Sequence, residues 1–147
     1  MTRVDPASPR DLEAVCALLT AVQLPTAGVD DHLGTALVAR DGEELVGCVA
    51  LEVYGRVALL RSLAVAPSHQ GRGLGRRLVH AALELGEKTG VTTFCLLTTT
   101  APDFFTRHFE FRAVARDMVP AAVRRSVEFV SACPATAQAM LREAAAG

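Results

Sequence analysis

The chain has 147 residues, half of them hydrophobic, and a formal net charge of −1. This length suits one domain with its own core, so we expect a single domain over residues 1–147. The small net charge argues against a nucleic-acid-binding protein or a polybasic membrane-surface protein. The longest apolar runs fall well short of the ~20 residues that span a bilayer, so no membrane segment is expected.

The N-terminal residues lack the apolar stretch of a signal peptide. The four cysteines are widely spaced in apolar surroundings: Cys16, Cys48, Cys95 and Cys133. This pattern predicts free thiols in a reducing cytoplasm rather than disulfides or a metal site. The four histidines also show no metal-ligand spacing, and no metal is predicted.

The first half of the chain predicts a helix followed by an antiparallel meander. Ser8 and Pro9 mark a helix start, and apolar residues then recur at helical spacing to about residue 22. A loop over 23–31 follows, with a short helical turn near 30–33. Three strands are predicted at 35–40, 44–54 and 57–66. The turn signals between them are Asp41-Gly42 and Gly55-Arg56.

The second half alternates helices and strands. We predict a helix over 74–88 and a strand over 91–98 that is buried on both faces. The remaining predictions are a helix over 104–108, a strand over 112–116, a helix over 120–132 and a short strand over 136–141. The fold class is therefore mixed α/β, with a mostly antiparallel sheet flanked by helices.

A glycine-rich stretch joins the third strand to the second helix. Glycines at 71, 73 and 75 precede a basic helix start at Arg76-Arg77, and Arg72 lies between them. Glycines allow backbone N–H groups to approach a ligand, and a helix N-terminus attracts anions. The pattern predicts a phosphate ligand, most simply a pyrophosphate.

Three other interpretations of this stretch compete with a pyrophosphate-binding loop. A plain turn and helix start explains the glycines without any ligand. A P-loop needs Lys-Ser or Lys-Thr after its last glycine, where this chain has two arginines. A dinucleotide fingerprint needs an acidic residue about 20 residues on at the end of a strand, but Glu87 falls within the predicted helix.

Gln70, Gly73 and Gly75 match the pattern Gln/Arg-x-x-Gly-x-Gly/Ala, and Leu63-Ala64-Val65 precedes it. This combination resembles the acetyl-CoA-binding motif of the GNAT superfamily of N-acetyltransferases, whose element order the predicted elements also match. The resemblance implies a GNAT-like fold and acetyl-CoA as co-substrate. It implies cofactor contacts from residues 63–65 and 70–76, namely Leu63, Ala64, Val65, Gln70, Gly71, Arg72, Gly73, Leu74, Gly75 and Arg76, with Thr98 and Thr99 on the neighbouring strand.

The sequence departs from the family pattern near residue 105. Many GNAT enzymes have a tyrosine there as general acid, but this chain has Phe104-Phe105. Phe109-Glu110 also replaces the glycine that usually precedes the phenylalanine matching Phe111. More narrowly, several segments resemble a subfamily associated with bacterial arsenic-resistance operons: Leu24-Pro25-Thr26, residues 58–65, residues 97–100, Ser126-Val127-Glu128-Phe129 and Cys133-Pro134.

The hairpin between the second and third strands constrains the catalytic candidates. If Gly55-Arg56 is a two-residue turn, Tyr54 opposes Val57, Glu52 opposes Leu59 and Ala50 opposes Arg61. Side chains alternate along a strand, so one face would hold Glu52, Tyr54, Leu59, Arg61 and Leu63. Glu52 and Arg61 would then be diagonal neighbours whose side chains can meet.

Two roles follow for this pair. A carboxylate among apolar neighbours has a raised pKa, so Glu52 is a candidate general base, with Arg61 binding an acidic group of the substrate. A structural Glu–Arg pair explains the same residues equally well. Tyr54, the only tyrosine of the chain, is the candidate phenolic acid, although an ordinary strand residue is an alternative role.

The sequence thus predicts an acetyl-CoA-dependent N-acetyltransferase for a small-molecule amine, either an amino-acid-like metabolite or a toxin. A non-catalytic acyl-CoA-binding sensor is the alternative. The family resemblance implies that the first loop and the C-terminal segment flank the acceptor site. Their charged residues are candidates to select the substrate, although solvated faces explain such runs equally simply: Asp30, Asp31, His32, Arg124, Arg125 and Glu128. The C-terminal helix and strand are candidates for a homodimer interface.

Overall fold

The computed structural model describes residues 2–99, 101–132 and 136–143. They form a mixed sheet with helices on both faces. Within these residues the sheet has seven strands in the order β1-β2-β3-β4-β5-β7-β6. The strands are β1 Thr2–Pro6, β2 Ala36–Asp41, β3 Glu44–Tyr54, β4 Val57–Val65, β5 Thr93–Thr98, β6 Arg112–Val114 and β7 Gln138–Glu143. The α-helices are α1 Leu12–Ala21, α2 Leu74–Lys88, α3 Pro102–Phe109 and α4 Ala121–Arg124. The predicted fold class is confirmed.

The N-terminal region adds one strand that the sequence analysis did not predict. β1 pairs antiparallel with β2 at the edge of the sheet. Its five residues show no apolar alternation, so only the long-range pairing defines it. The predicted first helix is present, but it begins with a 3-10 turn over Pro9–Asp11, where the amide of Ser8 donates to Asp11 Oδ2 at 2.8 Å.

The predicted meander is confirmed, including its register: Tyr54 pairs with Val57, Glu52 with Leu59 and Ala50 with Arg61. A β-bulge then interrupts β4. Cys48 pairs with Ala64, so Ser62 and Leu63 together face the single residue between Cys48 and Ala50, and Ser62 has a φ of +59°. The extra residue turns the Leu63 side chain to the α2 face of the sheet. The prediction that Leu63 shares a face with Arg61 is therefore wrong.

Helix α2 packs its apolar face on one side of the sheet, as its spacing predicts. The backbone of α2 approaches β5 closely at Gly86, and no side chain fits there, because an added Cβ would lie 2.5 Å from Phe94 Cε1. β5 begins two residues later than predicted and is buried on both faces: Phe94 lies in the α2-side core and Cys95 in the opposite core. α1 covers the other face beside β2 and β3.

The C-terminal third departs furthest from prediction. A continuous helix over 120–132 is wrong, because α4 ends at Arg124 and a π-helical segment spans Glu128–Ala132. Ser126 Oγ accepts a hydrogen bond from the Glu128 amide at 3.2 Å. A local side-chain acceptor of this kind competes with the helical hydrogen-bond ladder. β6 is shorter than predicted, and β7 runs two residues further and lies between β5 and β6.

Candidate functional site

The site begins where two parallel strands separate. β4 pairs with β5 from Val57–Thr93 to Leu59–Cys95, and beyond that register the strands diverge. A cavity of about 330 Å³ opens in the gap. Its walls include residues 63–65 of β4 on one side and Thr98 and Thr99 on the other. The arrangement leaves the β5-facing edge of β4 available to a ligand.

The glycine-rich stretch follows Gln70, which is one of the residues that line this cavity. Gly71 and Gly73 adopt φ of +80° and +79°, and α2 begins directly afterwards at Leu74. A Cβ built on either glycine meets no atom within 4 Å, so the backbone conformation rather than a lack of space requires glycine there. The amide of Arg77 donates to Gly73 O at 3.1 Å. The amides at positions 74–76 precede that first helical bond and lack intrahelical acceptors.

The side chains of loop 70–76, as we call residues 70–76, are divided among different contacts. Gln70 Nε2 donates to Val65 O at 2.9 Å and so holds the loop against the end of β4. Arg72 and Leu74 line a second cavity of about 130 Å³ together with His69. Arg76 is exposed. The backbone amides, rather than a side-chain cage, are therefore the main feature that this loop offers to an anion.

A buried ion cluster adjoins the cavity, and we define it as Glu52, Tyr54, Arg61, Ser126 and Glu128. Arg61 Nη1 contacts Glu52 Oε2 at 2.6 Å, and Tyr54 donates its hydroxyl to Glu52 Oε1. Both side chains of the Glu52–Arg61 pair are 1% exposed. The predicted neighbours therefore meet, although Glu52 lies behind the residues that line the cavity.

The environment of Glu52 is not the apolar one that the sequence suggested. Burial alone would raise its pKa, but hydrogen bonds from Tyr54, Ser126 and Arg61 outweigh it and hold the pKa below the usual value. The expectation of a raised pKa is therefore wrong. Burial and the bond to Glu52 raise the pKa of Tyr54 to about 12. Glu52 is thus a carboxylate and Tyr54 a neutral phenol at neutral pH.

A second carboxylate completes the cluster from the C-terminal segment. Arg61 Nη2 lies 3.1 Å from Glu128 Oε1, and both Arg61 and Glu128 line the 330 Å³ cavity. The sequence analysis placed Glu128 beside the acceptor site but did not pair it with Arg61. It assigned no role to Ser126, because nothing near that residue signals a partner on β3.

Thr98, Phe105 and the cysteines complete the set of residues that the sequence analysis singled out. Thr98 Oγ1 accepts from the amide of Ala101 at 3.0 Å. Phe105 is buried and contributes to the cavity wall. Cys16, Cys48 and Cys95 are free thiols as predicted, and burial raises the pKa of Cys48 and Cys95 to about 12. Cys133 lies outside the described residues.

Neither a metal group nor a membrane helix is present in the part of the chain that the structure describes. No three His, Cys, Asp or Glu side chains of these residues are grouped to hold a metal ion. Among the same residues, no helix combines the length and apolar character needed to cross a membrane.

Comparison with known proteins identifies relatives of this arrangement. The chain is 29% identical over 96 residues to an uncharacterised N-acetyltransferase of Chlorobaculum tepidum. That alignment covers 65% of this chain and 61% of the relative, so the chain spans about three fifths of that protein.

Two solved structures share the fold at low identity. N-acetylglutamate synthase from Neisseria gonorrhoeae, complexed with coenzyme A and N-acetyl-glutamate, has a TM-score of 0.83 at 19% identity; the match covers 97% of this chain but 35% of the synthase. Rv2747 from Mycobacterium tuberculosis, in complex with CoA and NLQ, has a TM-score of 0.79 at 23% identity, covering 96% of this chain and 98% of that one.

The family model for the acetyltransferase (GNAT) family matches residues 8–111, which span α1, the meander, loop 70–76 and α3. Those residues hold the diverging strands and the loop that the geometry singles out. The chain therefore belongs to the GNAT family of acetyltransferases.

Proposed function

We propose that this chain is an acetyl-CoA-dependent N-acetyltransferase that transfers the acetyl group directly to the amine of a small molecule. The observation that carries the proposal is the divergence of β4 and β5 beside a helix start whose first amides lack intrahelical acceptors. A thioester tail fits the gap between the strands, and a pyrophosphate suits the amides and positive helix end of loop 70–76.

The proposed cofactor contacts follow the two walls of the cavity. Amides of Gly71 to Arg76 would hold the pyrophosphate. Backbone N–H groups of Leu63 to Val65 would polarise the thioester carbonyl, which lowers the barrier to attack by the amine. Thr98 and Thr99, on the opposite wall, are placed to hydrogen-bond the amides of the pantetheine arm.

Glu52, Tyr54 and Arg61 have two possible roles in this reaction. Their burial, the low pKa of Glu52 and the high pKa of Tyr54 favour a positioning role over direct proton transfer. We propose that Glu52 and Tyr54 position Arg61, and that solvent protonates the leaving thiolate. If Glu52 is instead the base, Glu52→Gln will abolish the acid limb of the pH–kcat profile. If it positions Arg61, Glu52→Gln will lower kcat without moving that limb.

The acetyl-CoA site is tested by isothermal titration, with NAD and ATP as control ligands. We expect micromolar binding of acetyl-CoA alone. Gly73→Val should weaken it about tenfold or more, because a side chain would project into the phosphate path. Gly55→Val is the matched control, since Gly55 also has a positive φ, +66°, and open space around it but lies in the β3–β4 turn.

Equal loss of acetyl-CoA affinity in both glycine variants would contradict the binding of the pyrophosphate by loop 70–76. Release of free thiol in the presence of amines then separates an enzyme from the non-catalytic acyl-CoA-binding sensor, which would bind without turnover. Phe104 and Phe105, in place of a tyrosine acid, are the observation that keeps the sensor as a second candidate. The resemblance to the arsenic-operon subfamily is a prediction about genomic setting and not about the acceptor.

A further inference from the structure

The first loop begins with a residue whose backbone conformation favours glycine. Gln23 follows the end of α1 with a φ of +63°. Its amide donates to Thr20 O at 3.1 Å, and the amide of Leu24 donates to Leu19 O at 2.8 Å. These two bonds define a Schellman motif, in which the residue with left-handed backbone is usually glycine. A side chain at such a position lowers stability, and residues held in this conformation cluster at functional sites.

Gln23 lies in the wall of the 330 Å³ cavity between β4 and β5. It is exposed, and none of the described residues forms a hydrogen bond with its carboxamide. A carboxamide offers two N–H donors and one carbonyl acceptor. Gln23 therefore brings a neutral polar group to the cavity, and that group is available to a ligand.

The neighbours of Gln23 in this wall are apolar. Val22, Leu24 and Pro25 line the same cavity. Together with Gln23 they form a continuous stretch, residues 22–25, which we call the first-loop wall. This wall combines an apolar surface with one neutral polar side chain. Such a surface suits an organic amine that has an apolar body and a neutral hydrogen-bonding group, such as a hydroxyl.

The charged residues that line the cavity, in contrast, already have partners. Arg61 and Glu128 approach to 3.1 Å, and their side chains are 1% and 6% exposed. Arg61 also pairs with Glu52 at 2.6 Å and donates to Ala27 O at 2.6 Å. A substrate carboxylate would have to displace these contacts to reach the guanidinium, and a buried charge that loses its partner is costly. A hydrogen bond to Gln23 requires no such displacement.

We propose that Gln23 is a specificity-determining residue, and that the acceptor is a primary amine with a neutral hydrogen-bonding group at the far end of an apolar body. This inference rests on the proposed function. The carboxamide of Gln23 binds the neutral group, the first-loop wall packs on the apolar body, and the amine lies at the thioester. A site that hydrogen-bonds a substrate hydroxyl discriminates against the analogue that lacks it.

The test measures kcat/KM for acceptors that differ by one hydroxyl. The pairs are tyramine against phenethylamine, and aminopentanol, with its amine and hydroxyl at opposite ends, against pentylamine. We expect the hydroxylated member to be preferred about tenfold, the effect of one well-formed hydrogen bond. Aminopentanoate, the acid counterpart of aminopentanol, should be acetylated no better than pentylamine.

Two variants separate the hydrogen bond from the backbone strain. Gln23→Met keeps a side chain of similar length but has no carboxamide, so it should remove the hydroxyl preference and leave the urea midpoint near that of the wild type. Gln23→Gly should also remove the preference, but it relieves the positive φ and should raise the midpoint. In both variants the Kd for acetyl-CoA should stay within about twofold of the wild-type value.

Glu110→Gly is the matched control. Glu110 follows the end of α3 with a φ of +59°, is exposed, and does not line the cavity. Its replacement should raise the urea midpoint as Gln23→Gly does, and it should leave kcat/KM for every acceptor unchanged.

Several results overturn the assignment of Gln23. They are equal use of both members of each pair, a preference for aminopentanoate over aminopentanol, a hydroxyl preference that survives in Gln23→Gly or Gln23→Met, and the loss of that preference in Glu110→Gly as well. A lower urea midpoint in Gln23→Gly would show that the side chain stabilises the fold, which also contradicts the assignment. Acetylation of none of these amines by a protein that binds acetyl-CoA would exclude the acceptor class. Failure to bind acetyl-CoA at all would instead remove the proposed function, so the two failures are distinguishable.

Discussion

Loop 70–76 and the buried ion cluster both contribute to the lining of one cavity, through Gln70 and through Arg61 and Glu128, and they are built in opposite ways. The loop is exposed, contiguous in sequence and defined by backbone conformation: two glycines at positive φ and a helix start present its amides. The cluster is buried and defined by side chains from β3, β4 and the segment after α4. The loop presents mainly backbone amides, whereas the side chains of the cluster bond or pair with one another.

The contrast bears on the proposed function. Under that proposal the loop binds phosphate through its amides, and such a site needs mainly the right backbone. The cluster consists of charges inside a low-dielectric wall, and its stability depends on each charge keeping its partners. Substitutions should therefore change ligand affinity in the loop but protein stability in the cluster.

The largest effect is expected for Arg61→Met. Removing the guanidinium leaves Glu52 and Glu128 buried without their shared partner, which costs about 3–5 kcal/mol of unfolding free energy. Urea denaturation at pH 7 measures it. Arg112→Met, at an exposed pair with Glu143, should cost about 0–1 kcal/mol.

Should Arg61→Met fail to fold, the double variant Glu52→Gln/Arg61→Met provides a second measurement. It should recover part of the stability, since one of the two stranded carboxylates is gone. A cost for Arg61→Met as small as that for Arg112→Met would show that the cluster does not differ from a surface pair.

Much of this contrast could be predicted from sequence, but unequally. Loop 70–76 could be predicted because its glycines and arginines are adjacent in sequence, and each carries its own conformational or electrostatic signal. The Glu52–Arg61 contact followed from the two-residue turn at Gly55-Arg56, which sets the register of β3 on β4.

What failed depends on contacts between distant residues. The bulge at Ser62 has no local signal, since serine has no preference for a φ of +59°. The low pKa of Glu52 arises from Ser126 as well as from Tyr54 and Arg61, and Ser126 reaches it only through the fold. The same serine accepts from the Glu128 amide, beyond the end of α4, where the sequence analysis predicted a continuous helix.

A direct probe of the cluster is the ultraviolet titration of Tyr54. The chain has one tyrosine and no tryptophan, so phenolate absorbance reports this residue alone. We expect a midpoint near pH 12, because burial and Glu52 raise the pKa to about 12 from its usual 10. Glu52→Gln should lower the midpoint, and the stability that Tyr54 contributes below pH 10 should be lost as the pH rises towards 12. A midpoint near 10 in the folded wild type would mean that Tyr54 does not donate to Glu52.

Acid titration tests Glu52, whose pKa is shifted in the opposite direction to that of Tyr54. Its folded-state pKa is lowered, so its stabilising contribution is present above the unfolded value near 4.5 and is lost as the pH falls through that value towards the folded one. The difference in unfolding free energy between wild type and Glu52→Gln should therefore be larger at pH 6 than at pH 3. Urea midpoints across that range measure it. A difference that grows on acidification would indicate a raised pKa and restore Glu52 as a candidate base.

The smallest effect is expected in the loop, for Arg76→Gln. Arg76 is exposed beside the amides that would hold the pyrophosphate, so it contributes long-range attraction rather than a buried bond. Such a charge is screened over about 10 Å at 0.1 M salt and about 3 Å at 1 M. Acetyl-CoA affinity should therefore fall about threefold at low salt, the fall should vanish at 1 M, and stability should not change. If the loss persisted at 1 M salt, Arg76 would be bonding the phosphate directly, and the loop would depend on its side chains as the ion cluster does.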